Sequence, residues 1–212
     1  MKRELNIDTW ERKEHYNFFK GFEEPFWAIV VNLDCTNAYL YCKENGLSFF
    51  IYYLYQSLKV ANKIAPFKHR IIDDKVIEFD VINGSITTLR ANKTFGFSHL
   101  DYFDDFLQFQ TNAKKEIEKT KNTTGLNLSP PREDVIHYTS TPWAKFTSVS
   151  HPKKSSSGDS LPKIVFGKMT DNHAKKEMPV SIQVHHALVD GFHVGKYIEA
   201  FQLLLNNNKP NW

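Results

Sequence analysis

The sequence predicts an α/β fold of the α+β type: a two-layer sandwich in which a mixed sheet is covered by helices, folded as one domain over residues 1–212. Three observations predict it. A chain of 212 residues is long enough to bury one sizeable core and sits at the upper end of common single-domain lengths. Runs rich in Val, Ile and rings alternate with helical patterns, and the runs in the middle of the chain read as hairpins. Apolar residues make up 41% and aromatics 14%, with 17 Phe, which excludes a disordered chain and predicts a ring-rich interior or pocket.

The elements follow in chain order. Asp8 is placed to cap a helix over 9–19, with Glu11 reaching back in a capping box. FWAIVVNLD (26–34) reads as a strand. A helix over 36–45 ends at Gly46, and Ser48 caps a second helix over 49–64 whose apolar positions nearly surround it, so that it is buried; Pro66 stops it. KHRII (68–72), a turn at Asp73 and Asp74, KVIEFDVI (75–82) and SITTL (85–89) fit hairpins. Residues 101–122 return to helical spacing, with Phe103, Phe106, Leu107 and Ile117 on one side. A loop with Pro130 and Pro131 spans 125–134, and 134–149 reads as a strand that turns at Thr141 and Pro142. Residues 151–163 are a flexible surface loop, because Ser, Gly, Pro and Lys bury too little to order it. IVFGKM (164–169) and VSIQVHH (180–186) are strands, and a terminal amphipathic helix starts at Gly191.

Charge and composition narrow the function. The 27 basic and 24 acidic residues are spread along the chain, so no basic stripe argues for a nucleic-acid partner. The first residues lack the apolar stretch of a signal peptide, and FFIYYLY (49–55) is too short to span a bilayer; a soluble cytoplasmic protein with no membrane partner is expected. Cys35 and Cys42 form neither a CxxC pair nor a Cys/His cluster, so both read as reduced packing residues.

Chemistry concentrates in QVHHALVDGFHV (183–194). His186 and Asp190 sit where a strand ends and a helix begins, a common place for chemistry. One reading makes His186 a general base, since imidazole titrates near working pH and positioned acid-base help is worth about 10²–10⁴-fold. A second makes the pair ordinary core histidines. A third makes His186, Asp190 and His193 metal ligands at i, i+4 and i+7, which Gly191 and the β-rich 181–184 oppose because they interrupt a continuous helix. Nucleophile-elbow, P-loop and dinucleotide-binding signatures are missing.

The segment HHALVDGFHVGKYIEAFQ resembles the H-H-x-x-x-D-G signature of the chloramphenicol acetyltransferase family. TWERKEHYNFF near the start resembles that family's W-x-R-x-x-H-[FY] helix, STPWAKF (140–146) resembles its P-W-x-x-F, and FKHRIIDDKVIEFDVI resembles its hairpin. The likeness covers nearly the whole chain.

The resemblance implies a coenzyme A-dependent O-acetyltransferase that moves acetyl from acetyl-coenzyme A to a hydroxyl of chloramphenicol or a similar small alcohol, with antibiotic resistance as the role and no metal. It implies His186 as general base, and Asp190 paired with Arg12 to hold the site in shape, a task suited to a bidentate carboxylate–guanidinium pair. Thr139 stands where the family has a serine that donates to the developing oxyanion, with Ser140 adjacent. Trp143 and Lys168 match residues beside coenzyme A. Phe19, Phe22, Trp27, Phe95 and Phe97 are expected to line the acceptor pocket, and His137 stands where the family usually has an asparagine. Glu23 and Glu24 make acidic a turn that is more apolar in the family, and the loop with Lys153 and Lys154 departs as well. A homotrimer with its active sites between subunits is implied. The alternatives are the same chemistry on another small hydroxyl acceptor, or a non-catalytic binding protein of this fold.

Overall fold

The computed structural model describes residues 1–128, 132–152 and 158–207. Pro130, Pro131, Lys153, Lys154 and the three serines after them lie outside the described residues. The elements run β1 (Lys2–Glu4), α1 (Lys13–Phe19), β2 (Phe26–Asp34), α2 (Thr36–Glu44), α3 (Phe49–Lys63), β3 (His69–Ile72), β4 (Lys75–Phe79), β5 (Asn83–Leu89), β6 (Phe95–Leu100), α4 (Phe106–Lys121), β7 (Val135–Ser140), β8 (Lys163–Phe166), β9 (Thr170–Asn172), β10 (Lys175–His185) and α5 (Gly191–Asn206). The large sheet is mixed, in the order β2-β10-β8-β7-β5-β6, with β9 added to β10; β7 runs parallel to β5 and β8, and the other pairs are antiparallel. The predicted α/β sandwich, a mixed sheet covered by helices, is the observed architecture.

Side chains alternate between the two faces of a strand, so register assigns each residue to a layer. Ile86, Tyr138, Ile164, Phe166 and Ile182 point into the core under the helices. The buried Ser57 hydroxyl of α3 lies 2.8 Å from the Tyr138 hydroxyl of β7 and 2.5 Å from the Tyr197 hydroxyl of α5, so one polar node joins two helices to the sheet. Phe166 packs its ring 4.5 Å from Tyr53 of α3. On the opposite face, Ala28, Gln183, Lys163, His137, Ser85 and His99 are register partners across six strands. That row is polar where the helix face is apolar.

Several expectations need correction. Asp8 does not cap a helix over 9–19: Asn6 caps a short 3-10 turn, Ile7–Thr9, Asp8 pairs with Lys13 at 2.9 Å, and α1 begins at Lys13. Trp10 is extended so that its ring can pack against Tyr16 and His69, and this packing overrides local helix preference. The hairpin β3–β4, turning through Asp73 and Asp74 at positive φ, joins β1 in a separate three-stranded sheet instead of extending the large one. The helix expected from 101 starts at Phe106, because Asp105 supplies the cap by accepting from the Gln108 amide at 2.7 Å. The strand from 134 turns at Thr141 and Pro142 as expected, the Ala144 amide reaching the Thr141 carbonyl at 3.2 Å, but the chain from there to 149 forms no strand. Strands β1 and β9 are too short and polar to read in the sequence, and β6 (FGFSHL) is masked by its Gly96, Ser98 and His99.

Candidate active site

The turn 186–190 is held at both ends. At its strand end, the His186 amide donates to the Pro25 carbonyl at 2.8 Å and carries the β10–β2 ladder one step past its last pair. At its helix end, Asp190 caps α5: Oδ1 accepts from the Phe192 and His193 amides, and the Asp190 amide donates back to His193 Nδ1 at 3.3 Å. Asp190 is extended and Gly191 opens the helix, so His186 and Asp190 share no helix face. This geometry overturns the i, i+4, i+7 metal reading. Among the described residues, no group of three His, Cys, Asp or Glu side chains is placed to hold a metal ion.

Arg12, in the turn before α1, reaches the far end of the sequence. Its Nη1 donates to Asp190 Oδ2 at 2.5 Å, and its Nη2 donates to the His186 carbonyl at 3.4 Å. The Arg12 side chain is 12% exposed and that of Asp190 28%, so solvent screens the pair in part. Burial works against the Asp190 charge, but the hydrogen bond from Arg12 and the neighbouring His193 and Arg12 charges hold its carboxyl below the usual carboxylate range. Phe19, at the end of α1, lays its ring parallel to the His186 imidazole, centroids 4.1 Å apart, and Trp27 closes a second side at 5.6 Å. Trp27 is fixed by an indole N–H donated to the Val189 carbonyl at 3.1 Å. His186 Nδ1 is buried without a partner among the described residues. His185 points elsewhere: it is 5% exposed, accepts from the Ala187 amide through Nδ1, packs edge-on to Phe26, and is pushed down to about 4 by burial. The two adjacent histidines therefore divide, one packed and neutral, one half-buried at the surface of the turn.

The remaining predicted residues lie elsewhere on the sheet. Thr139, the position one before Ser140 on β7, stands on the helix-free face, whereas Ser140 faces α3 and its hydroxyl lies 3.3 Å from that of Tyr53. Phe95 and Phe97 are on the edge strand β6 and touch each other, rings 5.6 Å apart. His137 and His99 share the polar row, with burial pushing His137 down to about 4. Trp143 is 69% exposed, and Lys168 joins its loop through an amide donated to the Ala144 carbonyl at 2.8 Å. The structure thus gathers His186, Asp190, Arg12, Phe19 and Trp27 at one place and Thr139, Trp143 and Lys168 at another.

A groove of about 580 Å³ lies between α3, the end of β5 and α4; Phe50, Thr87, Lys114 and Lys121 line it. Phe50 and Thr87 also border a packing gap, too small for a water molecule, among Leu54, Ile86, Tyr138, Thr139, Ser140 and Phe166. Sequence reading missed this groove. Lys114 and Lys121 sit seven residues apart on one face of α4, a spacing that looks like an ordinary solvated stripe until β5 is placed opposite.

Residues 2–202 match the family model of chloramphenicol acetyltransferase. The chain belongs to the chloramphenicol acetyltransferase family. It is an acyltransferase of that family. The chloramphenicol acetyltransferase of Bacillus pumilus is 28% identical over 202 residues, covering 94% of this chain and 92% of that protein. That of Proteus mirabilis is 27% identical, covering 93% and 92%. A solved chloramphenicol acetyltransferase superposes with a TM-score of 0.90 at 30% identity over 97% of this chain and 100% of its own. A probable dihydrolipoamide acetyltransferase from Listeria monocytogenes shares the fold, with a TM-score of 0.64 at 16% identity over 95% and 92%.

Proposed function

We propose that this single-domain protein transfers acetyl from acetyl-coenzyme A to a hydroxyl of chloramphenicol or a similar small aromatic alcohol, with His186 as general base. One observation carries the assignment: His186 is the half-buried imidazole of a turn clamped by Arg12 and Asp190, stacked on Phe19 and flanked by a tilted Trp27. The clamp limits ring motion, and a base must be held within hydrogen-bond reach of the proton it takes. His186 removes the hydroxyl proton as the acceptor oxygen bonds to the thioester carbonyl carbon. The carbonyl oxygen gains negative charge, to which the Thr139 hydroxyl donates. As the carbon–sulfur bond breaks, the proton held by His186 goes to the departing coenzyme sulfur.

The groove fits the coenzyme, which supplies an activated acetyl thioester when bound. Lys114 and Lys121 of the groove would meet its phosphates and Phe50 its linker; Trp143 and Lys168, matched to the coenzyme by the resemblance, stand where the chain leaves β7 and β8. Within one chain, however, Thr139 pairs with Val165, itself opposite Ser181, five residues before His186 on β10. At roughly 3.3 Å per residue, His186 and Thr139 are separated by about 17 Å along the strands. They cannot contact one carbonyl unless two copies supply them. This separation supports sites between subunits, and the family resemblance makes the assembly a homotrimer. Phe95, Phe97 and His137 share the helix-free face with Thr139 and would line the acceptor side of that shared site.

A second reading keeps the chemistry and changes the acceptor. The extra methyl of Thr139 and the exposed Glu23 and Glu24 between α1 and β2 favour a different shape or a cationic group. Release of free coenzyme thiol with a panel of hydroxyl acceptors, chloramphenicol among them, tests both. Transfer to chloramphenicol that His186→Ala abolishes is expected; transfer only to another acceptor selects the second reading, and no His186-dependent transfer to any acceptor refutes both.

A further inference from the structure

We infer that His193 is a positioning residue of the turn that carries His186, its Nδ1 shared between the amide and the carboxylate of Asp190. Nδ1 lies 3.3 Å from the Asp190 amide nitrogen and 2.9 Å from Asp190 Oδ1. These two contacts make opposite demands: an N–H needs a lone pair on Nδ1, and a carboxylate needs a proton there. One nitrogen cannot serve both at once, so the site has two hydrogen-bonding states.

In the neutral Nε2–H tautomer, Nδ1 accepts the Asp190 amide and completes the reciprocal cap of α5. Asp190 Oδ2 is then left to Arg12, whose second nitrogen reaches the His186 carbonyl. Arg12 and His193 thus anchor the same turn from opposite sides. Once Nδ1 is protonated it donates to Oδ1, the Asp190 amide loses its acceptor, and the carboxylate is drawn on by two cations. The turn loosens at its helix end, five residues or fewer from the imidazole of His186.

The charged groups that face His193 are Asp190, Arg12 from the turn before α1, and Lys196 one turn further along α5. Burial disfavours the imidazolium most, Asp190 favours it, and Arg12 and Lys196 oppose it, so the ring titrates below its usual range. The neutral ring is accordingly the form present near neutral pH, and its Nε2–H tautomer is the one that closes the turn.

His193→Gln separates this role from simple capping, because Gln can occupy the same cap position and cannot titrate. In the wild-type protein the backbone amide resonance of Asp190 is expected to move with the His193 ring as pH falls, and in His193→Gln to stay flat. The acid limb of log kcat/KM is expected to be shallower by one proton in His193→Gln than in wild type. A simple structural cap predicts identical acid limbs, and that result, or a silent Asp190 amide through the His193 titration, overturns the inference. The kinetic arm rests on the base assignment of His186, and the amide arm does not. Transfer that survives His186→Ala would remove the proposed function while leaving the amide titration to judge His193. That titration needs only the wild-type protein, so a variant that fails to fold does not shield the inference.

Discussion

At the residue scale, the pairing of Arg12 with Asp190 decides more than a local charge balance. Arg12 is more withdrawn from water than Asp190, and deleting it leaves the Asp190 carboxylate with only its capping contacts to α5. Arg12→Ala is expected to cost about 1–3 kcal/mol in urea unfolding and to slow transfer by about 10²-fold through a displaced imidazole. Unchanged unfolding and unchanged kcat would show the pair to be decorative. Lys in place of Arg12 keeps the charge and loses the second contact to the His186 carbonyl, so Arg12→Lys should restore part of the stability and less of the rate. The register separates Thr139 from Ser140: Thr139→Ala is expected to lower kcat by about 10²–10³-fold, whereas Ser140→Ala, which touches Tyr53 in the helix layer, should leave it within a few fold. The reverse order in steady-state kinetics would move the oxyanion donor to Ser140.

Elements were legible where a side chain acts on its own neighbourhood. Ser48 caps α3, Gly46 at positive φ follows α2, and Gly191 opens α5, all as their residue types predict. Residues 9–12 and 101–105 misled because good local signals lost to distant ones: Trp10 packs on His69, and the Tyr102 amide donates to the Asn83 side chain at 2.8 Å. The start of α4 is a direct test, since Asp105 alone supplies its side-chain cap. Asp105→Ala should cost about 1 kcal/mol and lower Tm by about 2–4 °C, measured by circular dichroism. A shift of zero would return the start of the helix to other contacts.

For the whole molecule, buried histidines set the acid limit. Burial pushes His69, His137 and His185 each down to about 4, against about 6.5 in the unfolded chain. Above about pH 6.5 both states are unprotonated and stability is full. As pH falls from there towards 4 the unfolded chain binds protons that the folded chain refuses, so each histidine removes about 1.4 kcal/mol per pH unit. Urea midpoints should therefore fall across this window, and less steeply in His137→Asn. The separation of His186 from Thr139 makes a second prediction. Refolding a mixture of inactive His186→Ala and impaired Thr139→Ala should recover transfer above that of either variant, because some shared sites regain both groups; no recovery would place the whole site within one chain.

The sequence by itself determined what depends on local chemistry: which runs bury, which residues cap, and that an imidazole and a carboxylate stand at a strand-to-helix junction beside residues typical of the chloramphenicol acetyltransferase family. Only the tertiary structure decided what depends on meeting across the chain. It brought Arg12 to a residue 178 positions away, buried His185 against Phe26 and left His186 half-buried in the turn, laid Phe19 on the imidazole, and set Lys114 and Lys121 beside β5. The physical reason is that caps and periodicity act within a few residues, whereas an ion pair, a ring stack and a groove exist only once burial of the core has fixed the register of strands distant in the chain.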